Sequence, residues 1–335
     1  MKAMVVRAAR QPLVPEERAL PEPGRGEVRI RVHACGVCHS DQFVTGGLWP
    51  GLALPRVPGH EVAGVIDAVG EGVTSLRRGQ RVGVGWHGGH DGTCRACLQG
   101  KFIQCATARI TGITMDGGYA EALVVPAVAV APLPDGLGFD EAAPLLCAGV
   151  TTFNALRNAG ARSGDLVAVQ GLGGLGHLGV QYANAMGFEV IAIARGSDKE
   201  EFARKLGASR YVDTEREDAA KALTARGGAR VILATAPSAE AIASVVPGLG
   251  IEGCLLIVGA PLEPIPISAL DLIPLNRRIQ GWASGTAADS ADALAFAAQR
   301  GVRPMIERFA LADAQAAVDR MLSGKARFRA VIDVQ

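Results

Sequence analysis

Up to about residue 135, apolar positions fall in short runs cut by Gly and Pro. They predict strands over 27–34, 61–69, 81–85 and 119–125, with turn clusters such as 21–26 between them. From about residue 138 the rhythm changes. A strand over 165–170 leads to a helix over 176–186. A strand over 189–194 then leads to a helix over 197–206, for which Ser197 reads as the N-cap. Further strands are expected at 211–213, 231–236, 254–258 and 278–282. Apolar strands alternating with helices predict a parallel sheet covered on both faces. The last stretch changes again, with helices over 291–300 and near 313–322 and a final strand over 328–334. That tail is read as rejoining the first domain. The expected division is 1–149 with 288–335 for one domain and 150–287 for the other.

Charge narrows the function classes. With 34 Lys+Arg against 33 Asp+Glu, the chain lacks the basic excess that a nucleic-acid or anionic-membrane surface needs. A membrane span takes ~20 mostly apolar residues. The longest apolar region, 120–134, is broken by Glu121, Pro126, Pro132 and Pro134. No signal peptide is read at the start, and an odd total of seven cysteines suits a reducing compartment, so the cytoplasm is expected. The 43 glycines show no collagen period, which points to tight turns and close backbone approaches.

One glycine cluster has a specific use. Gly171, Gly173, Gly174 and Gly176 follow a predicted strand and open a predicted helix, the setting of a GxGxxG dinucleotide loop. Gly171 permits the turn, Gly173 lets a pyrophosphate approach the backbone, and Gly176 lets the helix pack on the strand. The helix N-terminus would offer N–H groups to the phosphates. At the end of the next strand, an acidic residue would bind a ribose 2′-OH. Here Ala194 is followed by Arg195, Gly196 and Ser197. A guanidinium with a nearby hydroxyl suits a 2′-phosphate, so NADP is expected over NAD. The bland alternative is that Arg195 is a solvated surface charge.

Cys38 lies in the stretch His33–Asp41, His60 in Pro58-Gly59-His60-Glu61, and Cys147 before Thr151 and Thr152. Spacing alone does not unite them. Together with the glycine loop, however, these stretches resemble the zinc-dependent alcohol dehydrogenases of the medium-chain dehydrogenase/reductase superfamily, over essentially the whole chain. The resemblance implies an α/β fold: a Rossmann doubly wound parallel sheet plus a mostly-β GroES-like catalytic domain. It implies that Cys38, His60 and Cys147 hold a catalytic zinc with one position open, alcohol dehydrogenases being the familiar example of that Cys₂His set. Glu61 then matches a transient or neighbouring ligand, and Asp41 the residue that orients the zinc-bound His. Ser40 matches the hydroxyl that takes the alcohol proton. His39 matches a basic residue near the pyrophosphate, and Thr151 a residue against the nicotinamide. Trp49 and Trp86 resemble substrate-pocket tryptophans, with core packing as the alternative.

Asp91, Cys94, Cys97 and Cys105 suggest a second, structural zinc knuckle. The resembled family has four cysteines at these gaps, and here the first is Asp, itself a legitimate zinc ligand. His90 is the rival fourth donor, and an empty site is the other alternative. Cys35 and Cys254 read as small core residues, His177 as packing or near the phosphates, and His87 and His33 as ordinary polar positions.

The resemblance thus implies two zincs per chain and reversible hydride transfer between a primary or secondary alcohol and NAD(P). The partner is a small alcohol or aldehyde, and the assembly a homodimer or homotetramer. One position departs from many relatives, which place a proton-relaying His where this chain has Phe43. Together with the expected use of NADP, that change tilts the expected working direction toward aldehyde reduction. The rival readings are a zinc-free quinone or enoyl reductase of the same superfamily and a non-catalytic dinucleotide-sensing zinc protein.

Overall fold

The structure is a computed structural model and describes residues 1–334. It divides into two compact units, Met1–Val150 with the segment from Gly285 onward, and Thr151–Ser284.

The first unit is built on a seven-stranded sheet. Its central strand, Glu27–Gly36, pairs antiparallel with Val62–Val69, Ala122–Pro126 and Arg329–Asp333. Val28, Ile30 and Val32 alternate into the core, while Arg29 and Arg31 face away, and Arg29 pairs with Asp67 and Glu22. This inside–outside alternation is the period of two of a strand with one buried face. The strand also bulges, with register shifts at Arg29/Ile30 and Val32/Ala34. A Cβ on Gly64 would stand 2.2 Å from the Arg31 carbonyl oxygen, so the neighbouring strand needs glycine there. The C-terminal strand Arg329–Asp333 joins the sheet beside Glu27–Gly36, so the tail belongs to this unit. The helix Ala287–Arg300 starts four residues before the expected 291, because Thr286 and Asp289 form a reciprocal capping box.

The second unit holds a six-stranded sheet in which every pairing is parallel. In space its strands run Arg210–Asp213, Glu189–Ala194, Leu166–Gln170, Ala229–Ala234, Leu249–Ile257 and Arg278–Gly281. This is the doubly wound dinucleotide-binding order 3-2-1-4-5-6. Val167, Ile191, Ile193, Val212, Ile232 and Leu255 are almost fully buried, as expected of strands covered on both faces.

In this unit too a helix start differs from expectation. The helix after the second strand is Glu200–Lys205, capped by the Lys199 backbone with no side-chain cap. Ser197 is therefore not its N-cap. Gly196 has φ +78°, and its N–H is held by Asp213, so the chain turns through 195–199 before the helix begins. A segment 139–157 that the strand pattern did not register is helical throughout. Phe139–Pro144 runs into a π-turn, Leu145–Gly149, and then into Val150–Arg157.

Candidate metal centres and dinucleotide loop

Cys38 stands two residues past the end of the central strand, in extended conformation before the short 3₁₀ turn His39–Asp41. That turn brings Asp41 back toward Cys38 and His60. Asp41 Oδ2 accepts the Cys38 backbone N–H and the Tyr119 hydroxyl, each at 2.9 Å. Asp41 Oδ1 lies 3.0 Å from His60 Nδ1. Gly59, at φ +98°, sets the turn before His60, where any Cβ would meet the Tyr119 ring at 2.4 Å. Cys147 sits in the π-turn, a device that re-aims one side chain within a helix and recurs at functional sites.

Cys38, His60, Glu61 and Cys147 each bring a donor atom to within 4.8 Å of the others. The two sulfurs are 3.9 Å apart. His60 is wholly buried, and neither of its ring nitrogens makes a hydrogen bond, Nδ1 lying in ion-pair range of Asp41 and Nε2 facing the thiols bare. A buried imidazole nitrogen left bare beside two thiols fits Zn²⁺, which favours N and S donors. The Cys147 thiol donating to Cys38 lowers the Cys38 pKa well below its usual value. Burial opposes this, and the His60 and Arg329 charges assist it. Cys147 is pushed up in turn, first by that same hydrogen bond and then by burial.

Glu61 is buried at 0% exposure and ion-paired to Arg329, itself 5% exposed. Burial pushes its carboxyl up to about 7 against the pull of that guanidinium. Gly36 makes the room, since a Cβ there would stand 1.9 Å from Glu61 Oε2.

Next to these donors stands an aromatic group. Trp86 meets the His60 ring edge-on at 5.1 Å between centroids and contacts Trp49 at 6.2 Å and Phe43 at 6.4 Å. Phe43 and Trp49 lie 5.6 Å apart. All three are only half-buried, so the two tryptophans form part of a wall beside His60 as well as packing on the core. Ser40 is half-buried in the turn between Cys38 and Asp41, and His39 is exposed.

The second cluster also assembles, since Asp91, Cys94, Cys97 and Cys105 bring donors within 4.8 Å. Asp91 Oδ1 accepts the backbone N–H groups of Thr93 and Cys94, and Oδ2 accepts the Thr107 hydroxyl at 2.7 Å. The Cys94 N–H, followed by the Thr107 hydroxyl, holds this carboxyl far below the ordinary range, so it is an anion beside three thiols. That charge and donor set fit a zinc. His90 is outside the set. Its ring stacks on Phe102 at 4.2 Å, and its Nδ1 lies 3.1 Å from His87 Nε2. His87, read as an ordinary polar position, is in fact 3% exposed.

In the second unit, Gly171 has φ +90°, and a Cβ on Gly176 would stand 1.7 Å from the Gly171 carbonyl oxygen. Gly173 is exposed, with nothing within 4 Å of where its Cβ would be. Two glycines are thus required by the fold, and the third keeps open a space that a phosphate can enter. Gly174 lies between that open position and the helix Gly176–Ala185. His177 is buried, with Nδ1 2.9 Å from the Gly173 carbonyl oxygen, so it packs under the loop. Thr151 is 7% exposed, at the start of this unit. Arg195 ion-pairs with Glu215 at 2.8 Å, and Ser197 is exposed.

Comparison with known proteins places this geometry. Residues 24–135 match the family description "Alcohol dehydrogenase GroES-like domain", and residues 174–299 match "Zinc-binding dehydrogenase". The alcohol dehydrogenase patD of Penicillium expansum is 49% identical over 317 residues, 95% of this chain and 93% of that protein. The chain belongs to the zinc-type alcohol dehydrogenases of the medium-chain dehydrogenase/reductase superfamily. An alcohol dehydrogenase of Geobacillus stearothermophilus is 42% identical over the full length of both chains. A cinnamyl alcohol dehydrogenase of Sorghum bicolor superposes with a TM-score of 0.91 at 33% identity, covering 99% of this chain and 97% of that one. As a member of this family the chain is an alcohol oxidoreductase, with the GroES-like and Rossmann-like parts that its two sheets display.

Some residues of this alcohol dehydrogenase's site gave no sequence signal. Arg329 meets Glu61 from 268 residues away, in a strand that read only as a terminal apolar run. Tyr119 reaches Asp41 across 78 residues.

Proposed function

We propose that this alcohol dehydrogenase is zinc-dependent and interconverts a primary or secondary alcohol with its aldehyde or ketone, favouring NADP. The convergence of Cys38, His60 and Cys147, with Nε2 of a buried His60 left unpartnered, is the observation that carries this reading. A zinc held there would act as a Lewis acid that lowers the pKa of an alcohol or polarises a carbonyl. Asp41 fixes the His60 ring, and the low-pKa Cys38 supplies a thiolate donor. Glu61 stays paired with Arg329 beside the donors and matches a neighbouring or transient ligand. Trp49 and Trp86 present an apolar wall suited to the hydrocarbon part of the substrate.

Ser40 is assigned the alcohol proton. Phe43 cannot carry it further, so a bound cofactor would supply its ribose hydroxyl, with water, as the exit, or another base would take the proton. This favours aldehyde reduction as the working direction. The open face at Gly173 suits the pyrophosphate, with His39 and Thr151 assigned to the pyrophosphate and nicotinamide. Arg195 and Ser197, where a ribose-binding carboxylate would stand, support NADP. The Asp91, Cys94, Cys97 and Cys105 knuckle is assigned a second, structural zinc. We also place the protein in the cytoplasm as a homodimer or homotetramer; its seven free cysteines suit that compartment.

Metal analysis with nicotinamide absorbance kinetics on a panel of alcohols and aldehydes tests the reading. Two zincs per chain, chelator-sensitive turnover and a higher kcat/KM with NADPH than NADH are expected. Turnover that survives complete zinc removal, or a preference for NADH, would refute the corresponding part.

A further inference from the structure

The loop carrying Arg195 is tied to the strand beside it. Ala194 pairs in register with Asp213, and the Thr214 N–H donates to the Ala194 carbonyl. Asp213 Oδ1 accepts two backbone N–H groups, Gly196 at 2.8 Å and Glu215 at 3.0 Å. The Tyr211 hydroxyl donates to the Gly196 carbonyl oxygen from the same strand. One buried carboxylate oxygen thereby pins the backbones next to Arg195 and at Glu215. Their side chains meet as a consequence, Arg195 Nε donating to Glu215 Oε1 at 2.8 Å. Asp213 Oδ1 is committed to these backbone bonds and its Oδ2 lies 3.6 Å from Arg216 Nε, whereas Glu215 is the carboxylate paired with Arg195. The pair is exposed, 85% for the Arg195 side chain and 52% for Glu215, so it is weakly held and can part when a ligand competes.

We propose that Glu215 is a second determinant of cofactor choice, one that opposes Arg195. Resting on the reading of Arg195 as the 2′-phosphate residue, it makes that preference a balance. A 2′-phosphate must draw the guanidinium from Glu215 and then lie close to a like charge, whereas a ribose 2′-OH meets no such repulsion and finds an acceptor. The preference for NADP is then held below what Arg195 alone would give.

The test is calorimetric binding of 2′,5′-ADP and 5′-AMP to the holoenzyme, which separates this site from catalysis. Glu215→Gln keeps the backbone N–H that Asp213 uses, and is expected to raise the preference for 2′,5′-ADP about threefold to tenfold. In the Arg195→Ala background the same substitution is expected to yield clearly less, and the gain should shrink at high salt. A preference unchanged by Glu215→Gln, while Arg195→Ala lowers it, overturns the role of Glu215 and leaves Arg195 as the determinant. A preference that Arg195→Ala does not change removes the NADP reading and this inference with it.

Discussion

Asp41 Oδ1 stands 3.0 Å from Nδ1 of His60, and both side chains are buried. In the neutral imidazole this arrangement places the proton on Nδ1 and a lone pair on Nε2, the form a metal requires. The second Asp41 oxygen is taken by the Cys38 N–H and the Tyr119 hydroxyl, so one carboxylate orients two donors. Asp41→Asn preserves the shape and removes the charge. Its zinc affinity, read by competition with a chromophoric chelator, is expected to fall ~10–100-fold. Tyr119→Phe removes one bond and should cost less. Unchanged affinity in Asp41→Asn would show that the contact does not orient the ligand.

Gly173 and Gly176 belong to one motif, and the structure predicts opposite phenotypes for them. An Ala at 176 would drive its Cβ to 1.7 Å from a backbone oxygen that has no flexible end to move. Gly176→Ala should therefore cost ~3 kcal/mol or more and lower the melting temperature. Gly173→Ala meets nothing within 4 Å and should fold normally. It should bind dinucleotide at least about tenfold more weakly, because the methyl occupies the phosphate approach. Calorimetry and thermal melts on the two variants separate these outcomes, and tight binding by Gly173→Ala would show that the loop is not the phosphate cradle.

This contrast also marks what the sequence could disclose. The parallel sheet was legible because each strand is an apolar run closed by a turn residue, and the sheet buries such runs on both faces. Strand 189–194 was located to the residue for that reason. The helix after it was misplaced because Ser197 has the chemistry of an N-cap while Gly196 and Asp213 hold the chain in a turn. The π-turn around Cys147 has no periodic signature, since it is a local departure from the helical period. Cys38, His60 and Cys147 were identifiable only through resemblance, because their convergence depends on strand order and not on spacing. Arg329 had no signal at all, its partner Glu61 lying at the other end of the chain.

Phe43 offers a test by gain. It packs edge-on against Trp49 and Trp86 and carries no titratable group. Phe43→His introduces an imidazole with an ordinary pKa of about 6.5 beside the proton route proposed for Ser40. Alcohol oxidation by the variant should acquire a limb near that pH in kcat, with the rate rising above it as the imidazole becomes a base. The wild type should lack that limb. Identical pH–rate profiles would mean that the proton does not pass this position.

The His87–His90 pair predicts acid sensitivity. Burial, with His90 alongside, lowers His87 to about 4, while Asp289 opposes the shift. Between that value and about 6.5 the unfolded chain binds a proton at this residue and the folded protein does not. The contribution to stability is thus present above pH 6.5 and is lost as pH falls toward 4, by up to about 3 kcal/mol. Thermal melts should show a smaller loss between pH 7 and 5 for His87→Leu than for the wild type. Equal losses would place the acid sensitivity elsewhere.

The knuckle tests what an aspartate does among three cysteines. Asp91 has two tasks, capping the turn through Thr93 and Cys94 with one oxygen and facing the thiols with the other. Asp91→Asn retains an oxygen to cap the turn and loses the negative charge. Asp91→Cys restores four thiolates and loses the cap. If Asp91 is a zinc ligand, metal transfer to a chelator should be fastest from Asp91→Asn, by about tenfold over the wild type, and slowest from Asp91→Cys. The three cysteines are too few to hold the metal tightly once the fourth anion is gone, so Asp91→Asn should retain close to one zinc per chain after dialysis, the one at Cys38, His60 and Cys147. Two zincs retained with unchanged release would show that the carboxylate serves the turn alone.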